Sequence, residues 1–328
     1  NICQQLYTMV DTMVVGQVAG VEALAALGAV DFLMWVVTGI STGLTQGFSI
    51  QLSQYYGAKD FENLRKSLAH SYRLTAFIAA GVLILSQSFA SLVLTGLHTP
   101  SNIIGMSLLY LRIIFCGIPA TAAYNMFASA LRAMGNSKTP LTAMIIASVL
   151  NVSLDILFVA GFGWGVAGAA IATVIAQSFS AVYCFLILRR IDIVHLTRAD
   201  FMPASGMNAR LMKLGIPVVF QNIIIGVGGL VVQYVINGYG FLFVAGFTAT
   251  NKLYGLLEMA AISYGYAIVT YVGQNLGAGK IDRIRKGVRS SMLLSLLTSL
   301  IISAAMFLFG KNILSLFISG EPQQTQQV

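Results

Sequence analysis

Long apolar runs broken by short polar clusters cover almost the whole chain. Nine of them are candidate membrane spans, at about 1–19, 23–55, 67–97, 102–131, 140–161, 165–188, 211–237, 242–275 and 288–318. A helix needs about 20 residues to cross the hydrocarbon core, so the longer runs must tilt or project beyond it. The pattern predicts an all-α, polytopic membrane protein. Positive residues gather in every second connection. Residues 57–73 carry Lys59, Arg65, Lys66 and Arg73, and 132–138 carry Arg132 and Lys138. Residues 189–213 hold Arg189, Arg190, Arg198, Arg210 and Lys213; 280–289 hold Lys280, Arg283, Arg285, Lys286 and Arg289. Those loops take sixteen of the 19 Lys and Arg residues. By the positive-inside rule they face the cytoplasm, as does the amino terminus, in a cell (inner or plasma) membrane crossed many times.

Composition agrees with the pattern. The chain is 57% hydrophobic and 9% charged, with a mean hydropathy of +0.82, whereas a soluble domain carries about 25% charged residues. The net charge of +8 sits in alternate loops, so it reports topology and gives no reason to expect a nucleic-acid partner. Cys3, Cys116 and Cys184 are far apart in apolar stretches, and His70, His98 and His195 are equally scattered. Neither set has metal or redox spacing. No cleavable signal peptide stands out. The start at Asn1, close to the apolar LYTMV, and the polar end EPQQTQQV read as cut ends of a longer protein.

The chain also repeats. Residues 53–66, SQYYGAKDFENLRK, align without gaps to 273–286, GQNLGAGKIDRIRK, at an offset of 220 residues. Both copies sit where a span leaves the membrane into a basic loop. Six spans separate them, so the two halves run in the same direction. A parallel repeat of this kind is a transporter signature, with substrate handled between the halves. It predicts two six-helix lobes: 1–190 as the amino-terminal lobe, 191–210 as a cytoplasmic linker, and 211–328 as the first half of a carboxyl-terminal lobe. On that offset the span 288–318 pairs with the third, and three spans are missing at the carboxyl end.

Two nucleotide-like motifs lack their context. Gly163-Trp164-Gly165-Val166-Ala167-Gly168 fits GxGxxG but joins two apolar helices instead of following a strand, so it reads as a tight hairpin. GQNLGAGKI resembles a P-loop, yet Gln274 replaces the first glycine and Ile281 replaces Ser/Thr. No ATPase is expected. HExxH is absent, and a membrane enzyme, the reading from another class, would need a clustered acid–base or metal motif. Gly39, Gly43 and Gly47 leave one stripe of the second span without side chains. Close helix packing explains that stripe, and a smooth sliding or substrate-facing surface is the alternative.

The chemistry lies in four acids inside apolar runs: Asp11, Asp31, Asp155 and Glu258. An ionised group at the bilayer centre costs at least ~2.5 kcal/mol, so such acids are functional candidates by default. The fifth and sixth spans fold about a turn near residue 163 or 164. Asp155 and Thr173 should then lie at similar depth, about nine residues or ~13 Å from it. Asn151, at i−4, shares a face with Asp155. Asp11 and Asp31 flank the turn near residue 20 at a comparable remove. Hard oxygens gathered this way suit Na⁺ or a proton.

VDTMVVGQVAGVEALAALGA (10–29), YNMFASALRAMGNSKTPL (124–141), NVSLDILF (151–158), GWGVAGAAIATVIAQ (163–177) and GQNLGAGK (273–280) together resemble the multidrug and toxic compound extrusion (MATE) transporters. The resemblance runs in order along nearly the whole chain. It implies twelve helices in two lobes and export of drugs in exchange for Na⁺ or H⁺. Carried over position by position, the family's amino-lobe cation site falls on Asp11, Asn151, Asp155 and Thr173. Some members carry an acid in the seventh span for a second site; residues 211–237 contain none. The usual first-helix proline would lie before Asn1. The expected substrates are lipophilic organic cations, for which Asp31, Trp35 and Glu258 offer charge and an aromatic face. No cofactor is expected beyond the coupling ion, no ATPase subunit, and a monomer in the bilayer. The rival within the superfamily, a lipid-linked precursor flippase, would need a basic cavity, and Arg112 is almost the only positive residue deep in the first lobe. Arg112 itself reads as a packing or snorkelling residue.

Overall fold

In the computed structural model, residues 14–16, 18–96, 99, 101–237 and 262–315 are described, and among them there is no strand. The helices are α1 (Val21–Gly28), α2 (Asp31–Gly57), α3 (Phe61–Gly96), α4 (Ile104–Cys116), α5 (Ile118–Ala133), α6 (Lys138–Asp155), α7 (Gly165–Leu188), α8 (Met207–Asn237), α9 (residues 262–277) and α10 (Ile281–Ser315). Among the described residues, five helical stretches are long and apolar enough to cross a membrane, and six if α4 and α5 count as one bent span. The fold is all-α, as the apolar runs predict.

Two runs that read as single spans are broken. The run at 23–55 is α1 followed by α2, parted by a turn in which the Val30 amide donates to the Leu27 carbonyl at 3.1 Å. The run at 102–131 bends by 46° between α4 and α5. The cause is local: Gly117 separates the helices, and Pro119 lies in the first turn of α5, where its missing N–H costs nothing. Gly117 also lies so close to α7 that an added Cβ would meet Val174 Cγ2 at 2.7 Å.

α2 is the inner helix of the bundle, packed on α3, α5 and α8. It has length to spare, 27 residues or ~40 Å, yet it is rich in hydroxyls. Most of these are satisfied within the helix: Thr38 donates to the Met34 carbonyl at 2.7 Å, Thr45 to Ser41 at 3.0 Å and Ser53 to Ser49 at 2.8 Å, while the buried Ser41 Oγ has no partner among the described residues. A helix that closes its own polar groups can be buried without partners. The glycine stripe of α2 faces α8, antiparallel to it. A Cβ on Gly43 would meet the Val219 amide nitrogen at 2.9 Å, and one on Gly47 would strike the backbone of Gly215. Further along, Gly39 meets Asn222, and Gly226 meets the Trp35 ring. Close packing is what the stripe provides. In lipid, where apolar burial drives no association, such close approach is what holds helices together.

Two buried clusters fill the amino-terminal half. One includes Leu52, Leu64, Leu68, Leu131, Leu188 and Leu211; the other includes Val15, Leu27, Leu94, Leu111, Val159 and Val166. The first lies at the end of the bundle where the basic loops meet. There Gln274 Nε2 donates to the Ala133 carbonyl at 2.8 Å, and Arg65 Nε stands 3.8 Å from Asp200 Oδ1.

The repeat is visible in the backbone. After α2, the amides of Ala58, Lys59, Asp60 and Leu64 donate to the carbonyls of Gln54, Tyr56, Tyr55 and Asp60. After α9, those of Ala278, Gly279, Lys280 and Ile284 donate to Gln274, Leu276, Asn275 and Lys280. Every donor and every acceptor is shifted by 220 residues. The left-handed residue of each turn corresponds too, Lys59 at φ 57° and Gly279 at φ 68°. The helix starts follow the same offset, since α3 begins at residue 61 and α10 at 281.

Residues 189–206, between α7 and α8, contain two short 3₁₀ turns, Asp192–Val194 and Arg198–Phe201. α3 grips them from one side. His70, 2% exposed, donates through Nε2 to the Met202 carbonyl at 3.0 Å and pairs through Nδ1 with the Asn208 side chain at 2.7 Å. Arg73 donates to the Phe201 carbonyl at 3.0 Å. Asp200, 5% exposed, closes a capping box with Thr197 while its other oxygen faces Arg65.

Candidate functional site

α6 carries the acid-bearing run. Asn151 and Asp155 lie one turn apart on its inward face, and both are fully buried, at 0% exposure. Asn151 Nδ2 faces Thr173 Oγ1 on α7 at 3.4 Å. Its Oδ1 is buried and accepts no hydrogen bond from a described residue. An amide oxygen left without a donor is a suitable ligand for a small hard cation.

Asp155 ends the α-helical part of α6. From Ile156 to Gly161 the helix widens into a π turn, before the chain reverses over 162–164. Inserted π turns concentrate at functional sites because they re-aim the side chains around them. Here the turn also sets the hairpin register. A Cβ on Gly168 would meet Phe158 Cβ at 3.0 Å, while Thr173 meets Asn151. Interpolated at the ~1.5 Å rise of a helix, Asp155 comes level with about residue 170. Thr173 therefore lies level with Asn151, about a turn deeper than Asp155, where counting residues from the hairpin tip puts the two at similar depth. Beside Asp155 the facing stretch of α7 is small, with Ala169 and Ala170 fully buried. Phe158 of the π turn packs with Phe162 and Trp164 beyond it as a cluster with ring centroids 5.1–6.0 Å apart. They cover the hairpin end of the site.

The other candidates divide. Asp11 and Glu258 lie outside the described residues. Asp31 is the first residue of α2, a position where the helix dipole favours an acid. Trp35 lies one turn further on, 48% exposed, with part of its ring against Gly226 of α8. Among the described residues no three His, Cys, Asp or Glu side chains come together as a metal cluster. Arg112 is exposed on α4, and its carbonyl accepts a hydrogen bond from Gln87 at 2.8 Å. Two features of the site carry no plain sequence signal: the π turn, and a pair of asparagine bonds to α2, one of them from the other half. That pair consists of Asn222 Nδ2 donating to the Gly39 carbonyl at 3.1 Å and Asn125 Nδ2 donating to Thr42 Oγ1 at 3.2 Å.

A multi-pass helical bundle with a parallel internal repeat, and a buried carboxylate inside its first half, is the architecture of a secondary transporter. A family model described as MatE matches residues 1–157 and 217–323. The chain belongs to that family of multidrug efflux transporters, whose members move substrates and are not enzymes. It is 30% identical to the probable multidrug resistance protein YpnP of Bacillus subtilis over 319 residues, covering 97% of this chain and 72% of that one. It is 26% identical to the probable multidrug resistance protein NorM of Thermotoga maritima, covering 98% of this chain and 70% of the relative. Among solved structures, a MOP superfamily transporter from Pyrococcus furiosus matches with a TM-score of 0.90 at 21% identity, over 99% of this chain and 72% of that one. A multidrug resistance MATE family transporter described as outward-facing matches with a TM-score of 0.90 at 20% identity, again over 99% and 72%.

Proposed function

We propose that this protein is a secondary antiporter that exports lipophilic organic cations in exchange for Na⁺ or H⁺. The exchanged ion is taken up at Asp11, Asn151, Asp155 and Thr173. The observation that carries this reading is the complete burial of Asp155 one turn from Asn151, beside a helix that has widened into a π turn. A carboxylate so far from water is costly, by at least ~2.5 kcal/mol at mid-bilayer. A proton on its oxygen, or Na⁺ held between it and the Asn151 and Thr173 oxygens, relieves that cost. Whichever conformation holds the ion better is favoured when the ion is abundant, and that differential affinity is what drives export. Binding is reciprocal, so the ion and the exported molecule oppose one another through the same conformational equilibrium.

Asp31 and Glu258 supply negative charge toward a cationic substrate, and the exposed face of Trp35 supplies a cation–π surface. The basic loops and the amino terminus face the cytoplasm. The protein acts as a monomer in the bilayer, with no nucleic acid, ATPase subunit or cofactor. Support for drug export comes from the relatives' names, since YpnP and NorM are both described as probable multidrug resistance proteins. The test is efflux of a cationic dye from proteoliposomes holding the full chain, with Na⁺ and pH gradients imposed one at a time. Efflux should follow at least one gradient, with the two ions competing. No efflux under either gradient, from protein that is folded and inserted, would overturn the reading.

A further inference from the structure

We propose that Gly57 and Gly277 form the gate that seals the basic end of the bundle, by a reciprocal contact of each glycine with the opposite helix backbone. The inference rests on the proposed reading of the protein as an antiporter that changes conformation to exchange its ion and substrate. A Cβ added to Gly57 would fall on the backbone carbonyl of Gln274, and one added to Gly277 would fall on that of Gln54. The two contacts exchange under the 220-residue offset, as a contact across a twofold axis must. One turn deeper, a Cβ on Gly273 would come within 2.7 Å of Ser53 Cβ, and Ser53 is fully buried. The ends of α2 and α9 thus touch backbone to backbone, and only glycine permits this.

The surroundings distinguish this contact from ordinary packing. The seam between α2 and α8 runs from Trp35 to Gly47, about half the length of α2, as befits a pivot that persists through a conformational change. The Gly57–Gly277 contact lies at one end, away from that seam. Few polar bonds reinforce it: Gln274 Nε2 to the Ala133 carbonyl at 2.8 Å, and the Arg132 guanidinium 5.4 Å from the centre of the Tyr266 ring. Among the described residues no ion pair joins the two halves there. The contact is tight in shape and weak in bonds, which a repeatedly opened seal requires. Closure at this end shuts the substrate path to the side the basic loops face.

The test uses the full chain with its native cysteines replaced and Ser53→Cys as reporter. A membrane-impermeant maleimide is applied from the basic-loop side. With both glycines present, Ser53→Cys should label slowly. Gly57→Val and Gly277→Val should each speed labelling about tenfold, the population change that roughly 1.4 kcal/mol of overpacking produces. Gly81→Val and Gly228→Val are the controls, because a Cβ at either position meets nothing within 4 Å; they should leave the rate unchanged. If the valine variants fail to insert, Gly57→Ala and Gly277→Ala replace them, since a single methyl already meets the carbonyl. Unchanged labelling in folded variants, or an equal rise in the controls, overturns the gate. Labelling needs neither substrate nor ion gradient, so its failure leaves coupled export standing. Raised labelling without any dye efflux would remove the transport reading and keep the closure.

Discussion

Single residues carry both the chemistry and the local stops of this fold. Asp60 precedes α3, and its carboxylate accepts from the Asn63 amide at 3.1 Å and from the Asn63 side chain at 2.7 Å. Those bonds hold its carboxyl below the usual carboxylate range. Asp60→Ala should cost about 1 kcal/mol, the ordinary loss for an N-cap, read as a lower melting temperature in detergent. The sign with pH follows from the lowered pKa. The cap's contribution is present above the unfolded value of 3.8 and is lost as pH falls through the folded one, so the wild type and Asp60→Ala should converge in acid. At the site, the pairing of Asn151 with Asp155 was legible in the sequence because i and i+4 share a helix face whatever the tertiary structure. The depth of Thr173 was not, because the six residues of the π turn alter the count along one arm of the hairpin only. Glu258→Gln tests the substrate side directly. Export of cationic dyes by that variant should fall while the fold is kept, and unchanged export of every dye would remove Glu258 from the path.

At the scale of elements, hydropathy located most described helices to within a few residues, but α3 and α10 begin six and seven residues before the predicted runs, and the breaks inside apolar runs were missed. The stop between α4 and α5 had a signal in Gly117 and Pro119. Apolar residues on both sides masked it, because hydropathy is blind to backbone geometry. The grip of α3 on residues 189–206 had no signal at all. It joins His70 to residues more than 130 positions away, and a lone histidine in an apolar run announces no partner. Removing it should loosen the connection between the halves. His70→Ala removes the bonds to the Met202 carbonyl and the Asn208 side chain; both residues are exposed, so water can replace the ring and each bond lost costs about 1 kcal/mol. Proteolysis within 189–206 should then be several times faster than in wild type, with α3 itself still protected. Equal cleavage rates would show that the other contacts hold the segment alone.

Over the whole molecule, fourteen aligned residues at an offset of 220 foretold two halves running in the same direction, and the turns after α2 and α9 repeat each other bond for bond. What the alignment could not show is that these two turns touch, because a repeat gives internal structure and says nothing of how its copies meet. The distribution of charge fixes the orientation to be tested. Cysteines placed within 57–66 and 277–286, in a cysteine-free background, should escape an impermeant label applied to intact cells, and strong labelling there would reverse the topology. The central claim is that the buried acid of α6 couples an ion gradient to export. Asp155→Asn in the reconstituted full chain addresses it most directly, since it keeps shape and hydrogen-bonding capacity while removing the charge. The variant should insert and bind dye as wild type does, yet show no efflux in response to either an imposed Na⁺ gradient or an imposed pH gradient. Normal gradient-driven efflux by Asp155→Asn would contradict the account.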